Sequence, residues 1–158
     1  MRLQINDGYW KGLTRKDHVE NDFIWKPQLY VGFSLRGSRH EDINLIEAKA
    51  QSWLNRLASY TSDHCTMDLV TGYDKGVVHC HGAVLSPTSI KTRLAKSLWH
   101  DGYGSFRKYN SDLGGVIYNH VGHVDAHMLG YVACPRHNGA CKRKKCPFQT
   151  GRVPILKS

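Results

Sequence analysis

Two histidines two positions apart, His79 and His81, interrupt an otherwise apolar run from Val77 to Leu85. Side chains on an extended segment alternate faces, so both imidazoles project the same way, roughly 7 Å apart along the backbone. Two neutral imidazoles side by side are half of a metal site. With ten histidines in the chain the spacing alone is weak; the apolar setting strengthens it, because buried imidazoles without partners are costly. The competing reading is two packing histidines. An ion acting on a phosphodiester also takes a carboxylate ligand. Glutamate is scarce, only Glu20, Glu41 and Glu47, and Asp68 lies eleven residues before His79. A tight turn at Lys75 and Gly76 would pair Ala83 with Asp68 and His81 with Val70, leaving Asp68 on the histidine face. A three-residue loop would turn Asp68 away. Asp74 is the lesser candidate.

A second candidate is Tyr131, within Val124–Cys134, where the pattern predicts a last helix with His127 and Met128 one turn earlier. A tyrosine there ordinarily packs in a core with its hydroxyl satisfied at the edge. Beside a metal, its phenol can instead attack a phosphodiester, forming a phosphotyrosine that conserves the bond energy for rejoining. His127 would orient the phenol, supply a ligand or simply pack. The third cluster is Cys134, His137, Cys141 and Cys146, three thiols and an imidazole within thirteen residues. Such soft ligands suit a tetrahedral Zn²⁺, although the spacing is not that of a standard finger. The alternative is a basic tail with incidental cysteines. Between the ligands, Lys142, Arg143, Lys144 and Lys145 would present a phosphate-binding loop; a nuclear-localisation reading stays open.

The elements that must position these residues follow from periodicity. Leu29–Arg36 alternates as a strand with Leu29, Val31, Phe33 and Leu35 on one face. Ser38 and Glu41 read as a capping box opening a helix whose apolar stripe is Ile43, Ile46, Ala50, Trp53, Leu54 and Leu57. Two strands follow, near Thr66–Tyr73 and Val77–Leu85, joined through Asp74–Gly76. Ser86 and Pro87 open a second helix with stripe residues Ile90, Leu94, Leu98 and Trp99, stopped by Gly102. Gly104–Tyr109 and Gly115–His120 read as short strands, and Pro135 ends the last helix. The predicted fold class is α+β: a central, mainly antiparallel sheet of four to five strands with helices packed on one face. Residues 1–28 read as an irregular arm, 29–133 as the folded domain that carries the histidine pair and Tyr131, and 134–158 as a basic Cys/His segment.

Lysine and arginine outnumber aspartate and glutamate by 22 to 13, giving +9 with histidine neutral. That balance calls for a polyanion, nucleic acid first and anionic lipid second. No apolar run reaches the eighteen or so residues of a membrane span, and the N-terminus lacks a signal-peptide core. An intracellular protein with reduced thiols is expected, and no membrane partner.

The stretch from about Tyr30 to Tyr131 resembles the HUH endonuclease superfamily, the Rep-type initiators of rolling-circle replication in small viruses and plasmids. Tyr30–Arg36 resembles its first motif strand, His79-Cys80-His81 its His-hydrophobe-His motif, and Leu129-Gly130-Tyr131 its tyrosine helix. The resemblance covers about two-thirds of the chain. It implies nicking of single-stranded DNA at a replication origin through a covalent 5′-phosphotyrosine at Tyr131, leaving a 3′-hydroxyl to prime synthesis. His79, His81 and Asp68 would hold Mg²⁺ or Mn²⁺. The protein would work in its host's cytoplasm, or in the nucleus of a eukaryotic host. Cys134 stands where the family commonly has lysine, with Arg136 or Lys142 as stand-ins. No second tyrosine lies one turn from Tyr131, so a single-tyrosine enzyme is expected, and a helicase or other host replication protein would do the unwinding. Two alternatives stay open: a single-tyrosine transposase acting as a dimer, and a non-catalytic zinc-dependent nucleic-acid-binding protein.

Overall fold

The apolar alternation that begins near Leu29 folds as a strand of ten residues, and the sheet grows outward from it. A computed structural model describes residues 2–4, 25–110 and 127–133. In chain order the elements are β1 (Arg2–Gln4), β2 (Pro27–Arg36), a 3-10 turn (His40–Asp42), α1 (Ile43–Thr61), β3 (Cys65–Asp74), β4 (Val77–Leu85), α2 (Thr92–Ser97), β5 (Tyr103–Lys108) and β6 (His127–Ala133). The strands make one sheet in the order β1-β6-β3-β4-β2-β5, each pair antiparallel. The α+β class and the antiparallel sheet are as expected; among the described residues the sheet has six strands, of which β1 and β6 were not expected as strands. Arg2–Gln4, expected to be part of an irregular arm, pairs with Leu129–Tyr131 and adds a short outer strand.

The core lies on one face of this sheet. Leu29, Val31 and Phe33 of β2, Met67 and Leu69 of β3, and Val78, Cys80 and Val84 of β4 meet Ile46, Ala50, Trp53, Leu54 and Leu57 of α1. The helix stripe read from sequence is therefore the buried stripe, with Ile43 at its margin. Trp53 fixes α2 against α1, since its indole N–H donates to the Ala95 carbonyl at 2.8 Å. Phe33 binds the layers together, stacked on Trp99 at 4.0 Å between centroids and edge-on to Trp53 at 5.2 Å. Such aromatic pairs stabilise by about 0.5–1.5 kcal/mol beyond their area burial. Among the described residues no helix is long and apolar enough to cross a membrane.

Three boundaries differ from expectation, each for a local reason. Ser38 does not cap α1: its hydroxyl donates to the Leu35 carbonyl and accepts the Val78 N–H, tying the end of β2 to β4. Asp42 stands at the N-cap position without a side-chain bond to the helix, its carboxylate instead accepting the Arg39 N–H at 2.7 Å within the preceding turn. Helix α2 begins at Thr92, not at Ser86, so Ile90 is buried from the lead-in turn. The largest difference is at the end. The segment expected to be a tyrosine helix is strand β6, His127–Ala133, paired along β3 from Cys65 to Thr71. Gly130 inside a helix would cost about 1 kcal/mol, while Tyr131 and Val132 favour a pleated surface. Pairing on both sides, with β1 and β3, decides the outcome. The predicted strand Gly115–His120 lies outside the described residues.

Candidate metal and phosphodiester site

The site is built on the sheet face away from the helices, and its placement depends on one turn. Lys75 and Gly76 both take positive φ, 48° and 77°, the conformation of a two-residue hairpin. That turn sets Asp74 against Val77 and carries the pairing down to Val70 with His81 and Asp68 with Ala83. This is the register required to put Asp68 on the histidine face. On the other side of β4, His79 pairs with Ser34 and His81 with Gly32.

Both imidazoles are half-buried, with ring centroids 5.5 Å apart. Two rings that each give one nitrogen to an ion at about 2.0–2.2 Å have centroids roughly 5–6 Å apart, so the pair fits shared ligation. A glycine lies beside each ring. A Cβ on Gly72 would meet His79 Nε2 at 3.4 Å, and a Cβ on Gly32 would meet His81 Nδ1 at 3.3 Å. The absent side chains give each ring room to lie low over a neighbouring strand. Tyr30 then flanks His81 in a near-parallel stack, 6.3 Å between centroids and 15° between planes. The Arg107 guanidinium sits 4.8 Å from the centre of the Tyr30 ring. Cation, phenol and imidazole thus form a file across β5, β2 and β4.

Asp68 shares the face but is buried at 1% exposure, diagonal to His81. Among the described residues no three His, Cys, Asp or Glu side chains converge to hold an ion. The register thus brings Asp68 to the right face without bringing it into a ligand set with the histidines. Cys80, between them in sequence, points into the core and is fully buried. Burial pushes its thiol far above the ordinary range, and pushes Cys65 up to about 12. Neither is a thiolate ligand or a nucleophile at neutral pH.

Tyr131 belongs to β6, where its backbone pairs with Met67 on one side and Arg2 on the other. Positions in register share a face, so position 131 falls in the row of Met67, and positions 130 and 132 fall in the rows of Asp68 and Thr66. Met67 belongs to the helix-covered core. Cys134, His137, Cys141, Cys146 and the run Lys142, Arg143, Lys144, Lys145 lie outside the described residues, as does Tyr118.

Sequence reasoning missed Gly32, Gly72, Tyr30 and Arg107. The two glycines were visible as the small residues of otherwise apolar strands, but only the register shows that they lie beside the histidines. Comparison with family models, curated proteins and solved structures finds no match for this chain.

Proposed function

We propose that this protein nicks and rejoins single-stranded DNA at the His79–His81 pair, as a replication initiator of the HUH type would. The carrying observation is that pair, two imidazoles at ligand spacing on a sheet face, each with a glycine beside it.

His79 and His81 would hold Mg²⁺ or Mn²⁺, which supplies Lewis acidity to a non-bridging phosphate oxygen when bound. Two protein ligands suffice where substrate phosphate and water complete the shell, as is common for Mg²⁺. Asp68, on the same face but buried and outside a ligand set with the pair, would have to swing toward His81 to serve as a third ligand. Tyr30, stacked beside His81, restrains that ring, which lowers the cost of arranging the site.

The attacking group in this reading is the phenol of Tyr131. Its ordinary pKa is about 10, so attack at neutral pH requires loss of the proton to a base. In the observed register, position 131 stands in the row of Met67 and not in that of the histidines. The test uses single-stranded oligonucleotides with Mn²⁺, resolved under denaturing conditions for a protein–DNA adduct. Wild type and Tyr118→Phe should form the adduct; Tyr131→Phe should bind DNA and form none. An adduct that survives Tyr131→Phe and is lost in Tyr118→Phe moves the nucleophile and keeps the enzyme class. The absence of adduct in every protein favours a binding protein without catalysis.

A further inference from the structure

We infer that Tyr103, with Arg36 and Arg107, forms a subsite on the β5 side of the histidine pair that stacks an unpaired base and holds its phosphates. The inference rests on the reading of the substrate as single-stranded DNA. It adds where the strand lies.

The two flanks of the histidines differ sharply. Toward β3, on the same sheet face, Thr66, Asp68 and Val70 are 0–2% exposed, so no polymer can lie there. Toward β5, Tyr103 is 63% exposed and Ser105 and Arg107 are exposed with it. Approach to the pair is therefore from the β5 side. Tyr103, Ser34 and His79 stand in one register row across β5, β2 and β4. Two strand spacings separate the ends of that row, roughly 10 Å, short enough for neighbouring nucleotides of one strand to occupy both.

At this corner the sheet opens into a cleft of about 440 Å³ lined by Ser34, Arg36, Lys49, Asp101 and Tyr103 among others. That volume is in the range of small-ligand sites. Lys49 and Asp101 form an ion pair at 2.5 Å in its wall, balancing each other's charge. Arg36 remains as the net cation at the mouth, and Arg107 lies on the same face four residues along β5 from Tyr103, opposite Tyr30. An exposed aromatic ring beside guanidinium groups is the usual equipment for holding a single strand: the ring stacks any base, and the cations follow the backbone.

The test is fluorescence anisotropy with a labelled oligothymidylate in chelator, which reads binding without cutting, alongside the Mn²⁺ nicking assay. Tyr103→Ala should weaken binding about tenfold or more, and Tyr103→Phe should keep it. The double variant Arg36→Ala, Arg107→Ala should weaken binding and flatten its salt dependence. Unchanged affinity in Tyr103→Ala overturns the subsite even if the wild type nicks DNA. Loss of affinity in Tyr103→Phe, or its normal binding with loss of an adduct that the wild type does form, also overturns it, because the hydroxyl would then be the working group. If Tyr103→Ala loses affinity and the wild type never cuts, the subsite stands and the nicking reading falls.

Discussion

At the scale of single residues, His79 and His81 would carry the proposed chemistry, and their neighbours set the geometry of the pair. Replacing either histidine by alanine removes one of two nitrogens from the proposed ion. Several kcal/mol of charge stabilisation would go with it, so nicking should fall about a thousandfold or more. Both side chains are half-buried on the face opposite the core, so circular dichroism and the unfolding midpoint should stay near wild type. Full nicking by a folded double-alanine protein would refute the site. The buried thiols make a separate prediction. Burial holds Cys65 in its neutral form up to about 12, against 9.0 for a free thiol. Between those values the unfolded chain releases this proton and the folded chain retains it, so stability should fall as pH rises from about 9. Cys80 shifts in the same direction. At pH 8 iodoacetamide should label neither residue until denaturant is added, as peptide mass spectrometry would show. Rapid labelling of either thiol in the native protein would mean that the core opens.

At the scale of elements, what could be read from sequence is what local pattern controls. The β2 alternation, the α1 stripe and the β3–β4 hairpin were legible because each is fixed by residues close in the chain. Even Asp68 could be assigned its face, since a two-residue turn determines the register. The segment His127–Ala133 was misread as helix because its state depends on strands far away in sequence, β1 and β3. Leu129 and Val132 fit either period, and Gly130 was the local clue against a helix. Ser38 was misread for a similar reason, as its hydroxyl answers to Val78, forty residues away. The joint between α1 and α2 offers a test. Trp53→Phe shortens the ring and removes the donor to the Ala95 carbonyl. A loss of about 2–4 kcal/mol is expected from the cavity and the broken bond, measured by urea unfolding. A loss under 0.5 kcal/mol would show that the indole does not join the helices.

At the scale of the whole molecule, helices cover one face of the sheet, and on the other face the β3 side is buried while the β5 side is exposed; the net charge of +9 suits a polyanion on that exposed side. The C-terminal basic run would add to it if Cys134, His137, Cys141 and Cys146 close on a metal. Protein purified under reducing conditions without added zinc should then contain about one Zn²⁺ per chain, measured by elemental analysis. Cys141→Ser and Cys146→Ser should lose that metal while retaining the β2–β5 sheet. Reduced protein free of zinc would leave the run as a plain basic tail. The Lys75–Gly76 turn has a consequence for how such a protein can vary over time. Because side chains alternate, the shared face depends on Asp74 staying opposite Val77. Residues added inside the turn can leave that pairing and every facing unchanged, since hairpin loops of three to five residues are common. A single residue added within β3 between Asp68 and Asp74, or within β4 between Val77 and His79, shifts one strand against the other and turns Asp68 or the histidines to the opposite face. Descendants of this sequence can therefore lengthen the loop but not the strands beside it, and a one-residue strand insertion would abolish the site without touching any of its residues.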